Sequence, residues 1–289
     1  MTLNQLRASE GQIWIILRGL RKSKSGLTGG IIFATVILAA ILAPVISPYD
    51  PLQFDSNALL APPSLLHPLG TDQFGRDILS RIMWGSQASL IVGIVSVGIG
   101  LSVGSTIGVF SGYYSGKVDE VLMRVMDMLV SFPAILLGLL IIAILGTGLV
   151  NLMIAIGILY IPRFARVTRA SFLSEREKEY VDLARLAGDS DMRIAFREIL
   201  PNTMAPIIVN VTVFFSIAIL NEAAFGFLGL GLQPPIPSWG NMLAESRRFL
   251  ETAPWTTIFP GLAIAITTIG LNLLGDGLRD VLDPRLKLG

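Results

Sequence analysis

Glu175–Asn202, EREKEYVDLARLAGDSDMRIAFREILPN, is the longest strongly polar run in a chain that is otherwise mostly apolar. It falls between two long apolar segments, which makes it a loop at a membrane surface. The loop carries a pattern of its own. Tyr180, Leu183, Ala184 and Ala187 recur at helical spacing, as do Met192, Ala195, Phe196 and Ile199. Gly188 lies between them as a natural helix stop, Asp189 and Ser190 are natural N-caps, and Leu200-Pro201 closes the second helix. Two short amphipathic helices at a membrane face have no spanning role. Their apolar stripes ask either for a protein partner or for the headgroup layer itself.

The chain around this loop belongs in a bilayer. Its 289 residues are 52% hydrophobic and 15% charged, with a mean hydropathy of +0.68. A soluble chain is about one quarter charged, and apolar runs of about 20 residues match the hydrocarbon thickness. A net charge of +1 offers no basic face to nucleic acid. There is no cysteine, so disulfides and thiolate metal sites are excluded. The single histidine, His67, stands in a Pro-rich loop and reads as a surface residue; no metal site is expected.

Residues 1–28 form a basic tail, with Gln12–Leu20 as a short interfacial helix. Residues 29–86 hold the first helix, Gly29–Ile46, and a Pro-rich outer segment. The long basic lead favours an uncleaved span over a signal peptide. Residues 87–275 form the permeating core. Its first helix, Gln87–Phe110, repeats Ser96, Gly100, Gly104, Gly108 and Gly112 every fourth residue, a face for close helix packing or for lining a pathway. Residues 113–131 are polar but keep helical period. A helix is expected to start there in water and enter the bilayer near Phe132-Pro133, with Ile135–Leu145 completing the third span. Leu149–Pro162 is the fourth, with Arg163, Arg166 and Arg169 snorkelling from its end. Ala205–Leu228 is the fifth and carries Asn221 and Glu222. An outer loop, in which Ser238 caps a helix, leads to the sixth, Thr256–Leu274, and residues 276–289 are a polar tail. The expected fold is an all-α membrane protein of six transmembrane helices with both termini on one side. Of 22 Lys and Arg residues, 18 fall on the side of the termini and of the 175–202 loop. The positive-inside rule makes that side cytoplasmic.

Catalytic chemistry is not visible. Gly116-Lys117 has neither the leading glycine nor the Ser/Thr of a phosphate-binding loop, and HExxH and GxSxG are absent. No catalytic residue is assigned. Glu222, with Asn221 beside it, is a candidate for a pathway or gate, placed near the outer end of its span within reach of water or a loop. Asp72, Arg76 and Asp77 can contact a partner from the outer segment or form a local salt-bridged turn. A stand-alone secondary carrier or channel is the alternative class. The sparse deep charge and the lack of an internal repeat weigh against it. What remains is a membrane subunit energised from outside through a docking element.

The 175–202 loop resembles the coupling loop of ABC importer permeases. Gly188 stands twelve residues before Leu200-Pro201, the spacing of that family, while Asp182-Leu183-Ala184 occupies its three name-giving positions and only the last matches. EYVDLARLAG and RIAFREILPN are similar to the dipeptide/oligopeptide/nickel branch, although Glu198 stands where that branch often has His. LGTDQFGRDILSRIMWGSQASL (69–90), DEVLMRVMDMLVSFP (119–133), LGLGLQPPIPSWGNML (228–243) and LNLLGDGLRDVLDPRL (271–286) are similar to the same branch, in its C-type subunit. The resemblance implies the type I ABC importer permease fold, in a bacterial or archaeal cytoplasmic (inner) membrane. It implies a heterodimer with a homologous permease, two cytoplasmic ATPase subunits that bind ATP and Mg, and an extracytoplasmic solute-binding protein. This chain would bind no cofactor. Tyr180, Leu183, Ala184, Ala187, Gly188, Leu200 and Pro201 would dock the ATPase. The cargo would be di- or oligopeptides, nickel chelates or oligosaccharides.

Overall fold

A computed structural model describes residues 18–282. Residues 18–22 are helical; the rest of the expected Gln12–Leu20 helix, and the tail beyond 282, lie outside the described residues. The long helices are α1 (Lys24–Ile46), α2 (Ile78–Tyr114), α5 (Leu149–Glu175), α8 (Met204–Phe227) and α10 (Trp255–Leu282). Each is long and apolar enough to cross a membrane. Between them lie α3 (Gly116–Val130), α4 (Ala134–Leu145), α6 (Glu179–Leu186), α7 (residues 191–202) and α9 (Trp239–Ser246).

The third span departs from expectation. α3 and α4 do not form one continuous helix; they meet at 89° and count as a sixth crossing only as a bent pair. Pro133 has no N–H for the helical ladder and pushes Phe132 out of helical geometry. Asp119, Arg124 and Asp127 keep one side of α3 polar, and two of them find arginines on α5: Arg169 binds Asp119 through two bonds of 2.5 Å, and Arg166 binds Asp127 at 2.7 Å. The fourth span also differs: α5 does not end at Pro162 but runs on to Glu175.

Helix contacts explain the small residues. The α2 glycines lie directly on α5. A Cβ at Gly100 would come within 2.5 Å of the Tyr160 Cβ, at Gly104 within 2.5 Å of the Ile161 carbonyl, and at Gly108 within 2.6 Å of the Ala165 carbonyl. Only a bare Cα permits that approach. α1 packs on α10, with Gly26 against Gly277, so the start of α1 and the end of α10 lie at one end of the molecule. The core between α2, α5, α8 and α10 includes Val97, Ile156, Tyr160, Phe164, Phe214, Ile219 and Leu271. Phe214 stacks on Tyr160 at 5.6 Å and meets Phe164 edge-on at 4.7 Å. α2 has 37 residues and is about 55 Å long. It therefore exceeds a hydrocarbon core of about 30 Å and connects the 175–202 loop to the opposite end.

Candidate functional site

The 175–202 loop is two short helices on a small core of their own. α6 ends in a paired-bond cap: Gly188 N–H donates to the Arg185 carbonyl at 3.0 Å, and Asp189 N–H to Ala184 at 3.2 Å. Gly188 has φ +82°, and nothing lies within 4 Å of a Cβ built on it. The glycine is required by backbone conformation, not by space. Beneath α6, Val181, Ile194, Ala195 and Ile199 are buried with Val109, Tyr113 and Phe172 from the ends of α2 and α5.

That small core splits the expected docking stripe. Tyr180 and Ala184 pack inward against it, and so does Leu200. Leu183 is 65% exposed, its neighbour Leu186 84%, and Ala187, Gly188 and Pro201 are exposed too. The outward face is therefore Leu183, Leu186 and Ala187. Leu186 was missed because the sequence stripe was phased on Tyr180. The second stripe is shifted as well. Ile194–Ile199 is a π-helical turn, so Ile194, Ala195 and Ile199 turn inward while Met192 and Phe196 stay exposed. A wider turn advances the register, and a 3.6-residue period cannot anticipate that.

The loop is braced to the bundle. Arg176 donates to the Gly112 and Tyr113 carbonyls, both at 3.1 Å, and to the Ser115 hydroxyl at 2.5 Å, covering the open end of α2. The Tyr113 hydroxyl donates to Asp191 at 2.7 Å. Glu175 accepts from Lys178 at 2.6 Å and from the Tyr180 hydroxyl at 3.1 Å. The hydrogen bond to Glu175 raises the Lys178 pKa; partial burial raises that of the Tyr180 phenol. No sequence motif announces Arg176, because its acceptors are carbonyls of a distant helix.

The opposite end is built differently. Of the two readings of Asp72, Arg76 and Asp77, partner contact or a local salt-bridged turn, the structure favours the second: all three are buried in an internal network. Arg76 binds Asp72 at 2.6 Å and Glu245 of α9 at 2.6 Å. Arg81 reaches the same Glu245 at 3.2 Å. Arg76 also lies over the Phe74 ring at 4.7 Å. Asp77 accepts from the Ser80 N–H at 2.8 Å and so caps α2; its other oxygen lies 3.0 Å from His67 Nδ1. His67 is thus tied down, with its ring 4.7 Å from that of Tyr49.

For Glu222 the expectation is corrected. It does not reach water: it is fully buried, and Oε2 accepts from the Ser89 hydroxyl at 2.9 Å. Oε1 has no hydrogen-bond partner among the described residues. Asn221 donates to the Tyr160 hydroxyl at 3.0 Å. Together these two residues tie α8 to α2 and α5. Ser238 caps α9 through a reciprocal bond pair with Asn241, and Trp239 donates to the Ile82 carbonyl at 3.1 Å. No group of three or more metal-ligating side chains occurs among the described residues.

Known proteins share this architecture. Residues 104–288 match the family model described as "Binding-protein-dependent transport system inner membrane component", and residues 11–63 match the "N-terminal TM domain of oligopeptide transport permease C". The Dipeptide transport system permease protein DppC of Alkalihalophilus pseudofirmus is 46% identical over 93% of this chain and 88% of its own. The Di/tripeptide transport system permease protein DppC of Pseudomonas aeruginosa is 46% identical over 91% of this chain and 89% of its own. The Glutathione transport system permease protein GsiD of Escherichia coli is 42% identical over 98% and 93%. Among solved structures, an inward-facing MetNI methionine ABC transporter chain matches 70% of this chain and 96% of its own with a TM-score of 0.59 at 17% identity, a likeness of fold. Coverage of nearly the whole chain at this identity places the protein in the family of inner membrane components of binding-protein-dependent transport systems.

Proposed function

We propose that this chain is one of two permease subunits of an ATP-driven importer for di- and oligopeptides or a related small solute such as a nickel chelate or an oligosaccharide. The observation that carries the reading is the divided 175–202 loop. Its inner face is locked to α2 and α5, while its outer face leaves Leu183, Leu186 and Ala187 exposed. A rigid element with an uncovered apolar face suits insertion into a groove on another subunit.

In this reading the loop and both termini are cytoplasmic, following the Lys and Arg asymmetry, and the membrane is the bacterial cytoplasmic (inner) membrane. Two cytoplasmic ATPases bind ATP and Mg; the chain hydrolyses nothing itself. A homologous permease completes the pathway, and an extracytoplasmic solute-binding protein delivers cargo. α6 is the plug, with Tyr180, Ala184 and Leu200 supporting it from below, Gly188 shaping its end, and Pro201 closing α7. α7 passes displacement to α5 and α8, which the loop joins directly. Asn221 and Glu222 hold α8 to its neighbours near the outer end, where a gate would open. The permease pair is then a two-state element biased by ATP on one side and by loaded binding protein on the other. Short peptides fit the names of the relatives.

The test is uptake of a labelled dipeptide by the complex in liposomes. The reading predicts uptake that needs ATP, the ATPases and the loaded binding protein together. Uptake driven by an ion gradient without ATPase subunits contradicts it and favours a secondary carrier.

A further inference from the structure

Three arginines follow one another down α5 at i, i+3 and i+6: Arg163, Arg166 and Arg169. Two are matched, Arg169 to Asp119 and Arg166 to Asp127. Arg163 is not. Among the described residues it makes no hydrogen bond and no ion pair; its guanidinium lies over the Phe214 ring of α8 at 5.8 Å. It is exposed. Measured from Leu149 it lies about 21 Å along α5; a hydrocarbon core of about 30 Å that begins at Leu149 would enclose it. A cation at that depth is costly unless it meets an anion or a water-filled cavity.

Arg163 also borders a cavity. The bend between α3 and α4 encloses about 240 Å³ against α5, lined by Val130, Phe132, Pro133, Leu137, Ile158, Pro162 and Arg163 among others. Its side chains are apolar apart from that of Arg163. A hollow of apolar side chains with one cation at its edge has the chemistry of a small-molecule site. It suits the last residue of a peptide: the carboxylate on the guanidinium and a side chain in the hollow.

We propose that Arg163 and the cavity at the α3–α4 bend form a transit subsite for the C-terminal residue of the transported peptide, with Arg163 reading the free carboxylate. This rests on the peptide reading above. The site sorts cargo inside the permease, independently of the binding protein.

The test uses the whole complex in liposomes, with binding protein pre-loaded to equal occupancy with a dipeptide or its C-terminal amide. The wild type should import the acid about tenfold faster than the amide, the scale of one lost charge-assisted contact. Arg163→Gln should bring the acid down to the amide rate and leave the amide unchanged; Arg163→Lys should restore part of the difference. Equal loss of acid and amide, or an unchanged acid rate, overturns the proposal. A wild-type rate that depends on anionic lipid, with that dependence lost in Arg163→Gln, assigns the arginine to a lipid headgroup and also overturns it. Because this chain has no cysteine, Arg163→Cys in an otherwise cysteine-free complex adds a second measurement: a water-soluble thiol reagent should modify it from the aqueous phase. An unreactive thiol counts against the site. A complex that imports no peptide at all contradicts the peptide reading; one that imports peptides without discriminating at Arg163 contradicts only the subsite.

Discussion

The two ends of this molecule treat their charged groups in opposite ways. At the Asp72–Arg76–Arg81–Glu245 end, three buried charges and the partly buried Glu245 are satisfied by one another. At the 175–202 end, the charges mostly brace the helices from the sides and two leucines are left facing out. The first network satisfies its charges within one chain, although Leu65 and Leu66 of the same outer segment are exposed; Leu183 and Leu186 of α6 have no cover within this chain. The ion network holds α9 and the segment before α2 in one register, whereas the uncovered apolar face on its braced support is, in the proposed function, a seat for another subunit. Charge pattern alone leaves Asp72, Arg76 and Asp77 open between contact residues and a local salt-bridged turn; their burial favours the second.

The comparison breaks most readily at the buried network. Glu245→Ala leaves two buried guanidinium groups sharing the single carboxylate of Asp72 and should cost about 3 kcal/mol, read as a fall in the thermal unfolding midpoint of the purified complex. A change no larger than that of a surface substitution would mean the network is hydrated. At the other end, Gly188→Val must hold a β-branched residue at φ +82° and should cost about 1–2 kcal/mol. Gly188→Asn should cost distinctly less, because Asn tolerates that region and the space is open. Equal loss for both would point to a steric role instead. Leu183→Ser and Leu186→Ser should change stability by no more than about 0.5 kcal/mol, since neither side chain supports the small core. A larger loss would place them in it.

The smallest expected effect is that of pH on the loop. Lys178 and Tyr180 both have raised pKa values. A raised group contributes its stabilisation below its ordinary range and loses it as pH rises through the folded value. Both contributions are therefore intact through the neutral range and lost only in strong alkali. ATPase coupling should be flat between about pH 6 and 9 as far as this loop is concerned. A step in that window that disappears in Lys178→Met would show Lys178 itself titrating there and contradict its raised pKa.

Much of the fold was legible. Long apolar runs located the spans, the four-residue glycine repeat marked the face that lies on α5, and Ser238 announced the start of α9. The loop was legible as two helices with a stop at Gly188, because caps and turns are local chemistry. What escaped was non-local. The π-helical turn at Ile194–Ile199 moves the inward residues out of the expected phase. Arg176 finds its acceptors on a helix more than 60 residues back in the chain. The right angle between α3 and α4 was hidden because Phe132-Pro133 signals a break but not its direction. Glu222 looked accessible because its covering, Ser89 on α2 and the start of α9, comes from other parts of the chain.

The central claim is that the outward face of α6 seats an ATPase. It is tested most directly by replacing Leu183 and Leu186 together with Asp and measuring how much ATPase co-purifies with the membrane-inserted permease pair. The account predicts that the ATPase is lost while insertion, pairing with the second permease and the unfolding midpoint stay as in the wild type. Full retention of the ATPase by this double variant would contradict it.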